Sequence, residues 1–353
     1  MLAAIVLMAL PVLSRAQTKP ADYLEKGMDE YEKGDLDAAI RDFTFAIQMD
    51  GKSVQAYGNR GKARYFKKDY QGALQDFSQV IELEPNKFDG WHTRALAKEA
   101  LHDLEGAIAD YTRAIELNPQ DRAAYLNRGL DKLNKGDFDQ ALADCEASIK
   151  LDPTYAFGFG GRASVKFSKD DLDGALADFN RALQLDPKFD GMYAGRGRVY
   201  VAQQKWQAAL ADFRHDGNWE QSDKDYIAFD VWMIRSRSGD GTAASQELAL
   251  YLQNRKGKLD DWEVTIGKFL LGKIPEADLL TEAKAADQKA GADVLESAHL
   301  NGAWYYAGLK RLLNGDKDTA AEDFKKCIAE GKKASFTYHY AQAELKAVGN
   351  REK

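Results

Sequence analysis

A spacing of 34 residues constrains this chain more than any other feature. Gly27, Gly61, Ala95, Gly129, Ala163 and Gly197 stand at that step. So do Ala39, Ala73, Ala107, Ala141, Ala175 and Ala209, and so do Phe43, Phe77, Tyr111, Cys145, Phe179 and Phe213. Gly51, Pro85, Pro119, Pro153 and Pro187 keep the same register. Four series in one phase mean a stacked array of similar units, each burying its apolar face against its neighbours.

Each unit reads as two helices. In VQAYGNRGKARYFKKDYQGALQDFSQVIELEPN the first helix runs from about Val54 to Lys67, with a turn at Lys68-Asp69-Tyr70. The second carries Ala73, Phe77, Val80 and Ile81 on one face at helical spacing, and Pro85 ends it. The Gly/Ala series lets paired helices approach closely, and the ring at Phe77 is expected to fill the gap between neighbouring units. Arg60, Arg94, Arg128, Arg162 and Arg196 share one position, and Asp42, Asp76, Asp110, Asp144, Asp178 and Asp212 share another. The expected arrangement is an acid–base ladder joining neighbouring units: Asp42 to Arg60, Asp76 to Arg94, Asp110 to Arg128. The first unit has Lys26 at the arginine position.

The signature Tyr125, Gly129, Gly136-Asp137, Ala141 and Pro153 resembles the tetratricopeptide repeat (TPR) family, over six units from about Pro20 to Gln221. The resemblance implies an all-α fold, a right-handed superhelical solenoid whose groove takes a peptide or partner protein. Carried onto this chain, the family's groove positions are Leu24, Met28 and Tyr31; Asn59, Lys62, Tyr65 and Phe66; His92, Leu96 and Glu99; Leu126, Asn127, Leu130 and Leu133; then Phe167, Arg198 and Val201. An asparagine amide there can hold a peptide backbone. Gly160, Gly161 and Gly195 are expected to leave a shallow, smooth surface. The carboxylate clamp of chaperone-binding members is not matched: its first two positions hold Leu24 and Met28, Gly58 and Lys62, or His92 and Leu96.

After Phe213 the register breaks. HDGNWEQSDKD (His215 to Asp225) shows no helical apolar face, Tyr226 to Arg255 reads as a degenerate helix pair, DDWEVTIGKFLLG as a helix, and Ile274-Pro275 opens another. Trp304, Gly308, Gly315-Asp316, Ala320 and Phe324 restore a repeat, and a helix from about Phe336 to Ala347 caps the stack. The expected organisation is a signal peptide at 1–16, six repeats at 17–221 and a C-terminal helical module at 222–353. This tail resembles that of bacterial envelope TPR adaptors for periplasmic proteases and peptidoglycan hydrolases. Five of the six tryptophans lie from Trp206 onward, which marks the module as a possible homodimer surface.

Leu2 to Leu13 is an apolar run too short to span a bilayer, followed by Ser14-Arg15-Ala16. We expect cleavage after Ala16, export to the periplasm or outside the cell, and no transmembrane segment in the mature chain. No cysteine follows the run, so no lipid anchor is expected. Hydrophobic residues at 44% argue against disorder, and a net charge of -7 against nucleic acid as partner. The five histidines are scattered without metal-ligand spacing, and Cys145 and Cys327 read as small buried residues in distant units, with no disulfide. FGFGGR (Phe157 to Arg162) falls within a helix and not after a strand, so it is not a phosphate loop. No catalytic set, metal or cofactor site is expected. The reading is an exported adaptor that binds a protein or peptide, with a periplasmic protease or cell-wall enzyme as the client class. The alternatives are a structural homo-oligomer and a helical-toroid enzyme.

Overall fold

The computed structural model describes residues 19–215, 217, 219, 221–256, 261–290, 299–331 and 333–349. The apolar run and the expected cleavage position lie outside them. The described residues form helices joined by short turns and contain no strand, which places the fold in the all-α class. They fall into two compact units, divided after Asp103. The first holds α1 (Pro20–Glu32), α2 (Leu36–Met49), α3 (Val54–Phe66), α4 (Tyr70–Leu83) and α5 (Phe88–Ala100). The second begins with α6 (Leu104–Leu117), α7 (Arg122–Lys135), α8 (Phe138–Leu151), α9 (Ala156–Ser168), α10 (Leu172–Leu185), α11 (Asp190–Ala202) and α12 (Trp206–Phe213). It continues through α13 (Gln221–Arg237), α14 (Gly241–Asn254), α15 (Trp262–Leu270), α16 (Glu276–Ala290), α17 (His299–Leu313), α18 (Lys317–Ala329) and α19 (Phe336–Gly349).

The division falls inside the third repeat. One hydrophobic core, running from Ala163 to Ala341, joins the last two repeats to the helices beyond them. The end of the polar stretch before Tyr226 is helical: α13 starts at Gln221 and takes in Asp225. Asp225 is buried there because Arg255 and the Tyr251 hydroxyl both donate to it.

Local chemistry explains the helix pairs. Asp35, Asp69, Asp171 and Asp316 cap their helices by accepting the amide three residues on. The turn before each second helix needs a left-handed residue, which Gly34, Gly136 and Gly315 supply. Within each pair the small position receives the ring. A Cβ at Gly61 would lie 2.6 Å from Phe77, one at Gly27 2.7 Å from Phe43, and one at Gly197 2.5 Å from Phe213. The ring therefore packs first inside its own pair, which the sequence reading placed only between units. It also reaches the next unit, since Phe43 clusters with Ala63 and Phe77 with Ala97.

The acid–base ladder is corrected in the same sense. Arg60 pairs with Asp76 at 2.7 Å, Arg128 with Asp144 at 2.6 Å, Arg162 with Asp178 at 2.7 Å and Arg196 with Asp212 at 2.6 Å, each inside one repeat. Lys26 pairs with Asp42 likewise, at 3.0 Å. The hairpin explains this: Gly136 lies midway between Arg128 and Asp144, so the antiparallel helices bring them level. The link to the preceding repeat is the third arm of the guanidinium, which donates from Arg60 to Thr44, from Arg128 to Thr112 and from Arg196 to Asn180. Such buried bidentate pairs fix register more than they add stability.

Candidate partner-binding site

In the first compact unit the groove positions lie on α1, α3 and α5. Leu24 and Tyr31 are half-buried against Ala39 and Phe43, so they are partly core. Met28, one turn from Tyr31, is 46% exposed, and Phe66 is 62% exposed. The Tyr31 and Phe66 rings meet edge to face at 6.1 Å, joining α1 to α3. Tyr65 continues the run, 5.9 Å from Phe66 and 5.3 Å from Tyr70. Tyr70 was not among the residues expected from sequence; its place directly after the turn is the signal that would have found it. Lys62 is exposed on the same helix, while Asn59, His92 and Leu96 are half-buried. Burial, then the Glu99 charge and Tyr70, hold the Tyr65 phenol above its usual range, and burial does the same at Tyr31. Both phenols stay neutral donors at physiological pH. The result is a half-exposed aromatic run with a methionine at one end and a lysine within it.

In the second compact unit the corresponding positions are mostly closed. Leu126 is 4% exposed and Leu133 7%, so both are core residues and not groove-lining ones. The reason at Leu126 is local. Cys145 stands where other repeats have a ring, and Leu126 fills the space against Gly161, whose Cβ would lie 2.4 Å from Leu126 Cδ1. Burial pushes the Cys145 thiol up to about 12, as suits an inert core residue. Leu130 packs half-buried on the same cluster, and Asn127 donates to the Tyr111 hydroxyl at 3.3 Å, bonding within the fold. Gly160 and Gly195 are not smooth surface either, because Met192 and Phe179 occupy the space where their Cβ atoms would stand.

Further along, α19 packs on α11. The His339 ring lies 4.4 Å from Phe167, and its Nδ1 is 2.8 Å from the Asp170 carboxylate. Gln204 donates to the Ala343 carbonyl, Arg237 to Glu344, and Arg198 lies over the Phe336 ring. Phe167 and Val201 are buried, at 8% and 2% exposure, Phe167 against the His339 ring and Val201 on α11, the helix that α19 packs on. They stand at the repeat position of Tyr31 and Tyr65. The chain's own last helix thus covers, in the fifth and sixth repeats, what the first two leave open. The predicted helix at 336–347 was legible, but not where it would land.

A profile described as the tetratricopeptide repeat matches residues 24–87, 92–156 and 161–215, just over half of the chain. Among solved structures, the chain is similar to a tetratricopeptide repeat protein from Parabacteroides merdae, at 18% identity and a TM-score of 0.59, over 72% of this chain and 97% of that one. It is also similar to a chain of the APC/C hetero-tetramer Cut9-Hcn1, at 15% identity and a TM-score of 0.52, over 65% of this chain and 44% of that one.

Proposed function

The chain belongs to the tetratricopeptide repeat family, and on that premise we propose that it is a non-catalytic protein-interaction scaffold whose partner docks on the first-helix face of the first compact unit. The observation that carries this is Phe66: a large ring, 62% exposed, in edge-to-face register with Tyr31 and beside Tyr65. Exposed rings of this kind cost solubility and serve as anchors for a partner's apolar side chains. The edge-to-face arrangement leaves ring faces for a peptide, and Lys62 adds a cation for its polar flank. The Leu2–Leu13 run followed by Ser14-Arg15-Ala16 supports an exported setting, and a periplasmic protease or cell-wall enzyme is the client class we propose for it. A self-association reading has less support, since α19 folds back onto its own chain.

The test is chemical-crosslinking capture from cell extract with the parent, a Met28→Glu/Phe66→Glu variant and a Phe157→Glu control. Phe157 is about as exposed as Met28 but belongs to the second unit. A protein captured by the parent and the control, and lost with Met28→Glu/Phe66→Glu, supports the reading. Capture unchanged in all three, or only of the protein itself, overturns it.

A further inference from the structure

A second feature stands apart from the repeat face. Between α13, α15, α17 and the start of α19 lies a half-open cavity of about 340 Å³. Small-ligand sites run from roughly 300 to 1,000 Å³, so only a small group fits. Its walls are aromatic. Tyr226 meets Phe336 edge to face at 5.2 Å, Trp262 meets His299 at 5.3 Å with the rings perpendicular, and Tyr306 forms a further wall. Ile266 is its single large aliphatic side chain among the described residues.

The polar groups are selective. Glu263 is the one carboxylate lining the cavity, and no lysine or arginine lines it among the described residues. Arg255 comes within 3.7 Å of Glu263, but its short bonds go to Asp225 and Asp261. The Tyr306 hydroxyl is buried and has no hydrogen-bond partner among the described residues. Burial, and after it the Glu263 charge, holds the Tyr226 phenol above its usual range, so that ring stays neutral.

We propose that this cavity binds a quaternary or N-methylated ammonium group, held over the faces of Trp262, Tyr226 and Tyr306 with Glu263 as counter-charge. Trp262, Tyr226, Tyr306 and Phe336 line the cavity from four different helices, and a cation surrounded by aromatic rings is the arrangement that recognises alkylated ammonium. A primary ammonium must satisfy three N–H donors, and the described lining offers one carboxylate and otherwise mainly hydroxyls, of which that of Ser335 is already bonded to Thr337. An alkylated cation needs no hydrogen bonds and meets the cavity's apolar walls with its methyl groups. Phe336 already carries Arg198 over its ring at 5.1 Å, so it acts as a side wall.

The experiment is calorimetric titration of the full chain with choline and tetramethylammonium. Its neutral comparator is 3,3-dimethyl-1-butanol, which has the shape of choline without the charge. Choline is expected to bind at one site, about tenfold more tightly than the neutral alcohol. Glu263→Gln should weaken choline severalfold and leave the alcohol unchanged. Gly302→Leu is the blocking variant: a Cβ there meets only Trp262, at 3.9 Å, so the side chain grows into the cavity and spares the rings. It should abolish binding with the thermal midpoint preserved. Co-sedimentation with phosphatidylcholine vesicles separates the two sources of the group; sedimentation points to a lipid headgroup, and free choline binding alone to a soluble amine. Equal affinity for choline and the alcohol, no binding of choline by the parent at tens of millimolar, or binding that survives in a folded Gly302→Leu variant would each overturn the proposal.

Discussion

The first-helix faces of the early and late repeats are built on one pattern and end in opposite states. In the first compact unit, Met28 and Phe66 are exposed and Tyr31 and Tyr65 half-exposed. In the second, Phe167 is buried against α19 and Val201 is buried on α11, the helix that α19 packs on. The difference does not arise in the first helices, whose residue types are similarly apolar. It arises in the C-terminal helices beyond the repeats. A face of this kind is uncommitted, and the chain closes one copy with its own terminal helix and leaves the other for a partner.

The sharpest break of that comparison is a pair of aromatic truncations. Tyr340 of α19 is fully buried, with its ring 5.6 Å from Tyr305 and 5.3 Å from Phe336. Tyr340→Ala should lower the stability of the second unit by about 3–5 kcal/mol. Phe66→Ala removes a ring of similar size from the open face, and should change stability by less than about 0.5 kcal/mol. Hydrogen exchange resolved by peptide assigns each loss to its unit. Equal effects of the two would end the distinction between closed and open faces.

A smaller effect separates the faces by pH. Asp230 of α13 lies beneath α19, where the Tyr340 hydroxyl donates to it at 3.3 Å, with Arg198 and Tyr306 also nearby. Burial pushes its carboxyl up to about 7, against the opposing pull of Arg198 and the Tyr340 hydrogen bond. A raised acid holds its proton more tightly in the folded state than in the unfolded chain. Its contribution is therefore fully present below the unfolded value near 4, and is lost as pH rises towards 7. Between pH 5 and pH 8 the loss should be about 2–3 kcal/mol. Asp230→Asn removes this slope, and so should be relatively more stabilising at pH 8 than at pH 5. Urea midpoints of parent and variant across that range measure it; parallel pH profiles would refute the assignment.

How far the sequence reached depends on which interactions are periodic. The repeat length, the helix pairs and the small and ring positions recur every 34 residues and were legible for that reason, though not that the ring meets the small position inside one pair. The partner of Arg128 was misread because Asp110 and Asp144 are almost equally distant along the chain. Counting outward from the turn glycine Gly136 would have decided it, since the helices run antiparallel from that point. Leu126 was misread as groove because its burial depends on Cys145 being small, a compensation visible only in three dimensions. The landing place of α19 had no signal in any period, because it joins His339 to Asp170 and Ala343 to Gln204 across more than a hundred residues.

Asp170 and Gln204 bring the comparison down to a single turn residue. Gly34, Lys68, His102, Gly136, Asp170 and Gln204 occupy one repeat position, and all have positive φ. A side chain there costs roughly 1 kcal/mol relative to glycine, by crowding its Cβ against the following carbonyl. Lys68 sits exposed in the first unit. Lys68→Gly should therefore stabilise that unit by about 0.5–1 kcal/mol, the gain from relieved strain being partly offset by the freer unfolded chain. Gln204 has the same backbone but donates its amide to Ala343 of α19 at 3.2 Å. Gln204→Gly relieves the same strain and forfeits a hydrogen bond of about 1 kcal/mol, so the net should be zero or a slight loss. Thermal or urea midpoints for the two variants, made in parallel, decide the matter. If both gain equally, the bond from Gln204 contributes nothing to holding α19. If Lys68→Gly gains and Gln204→Gly does not, the strained turn is kept in the late repeats because its side chain holds the closing helix.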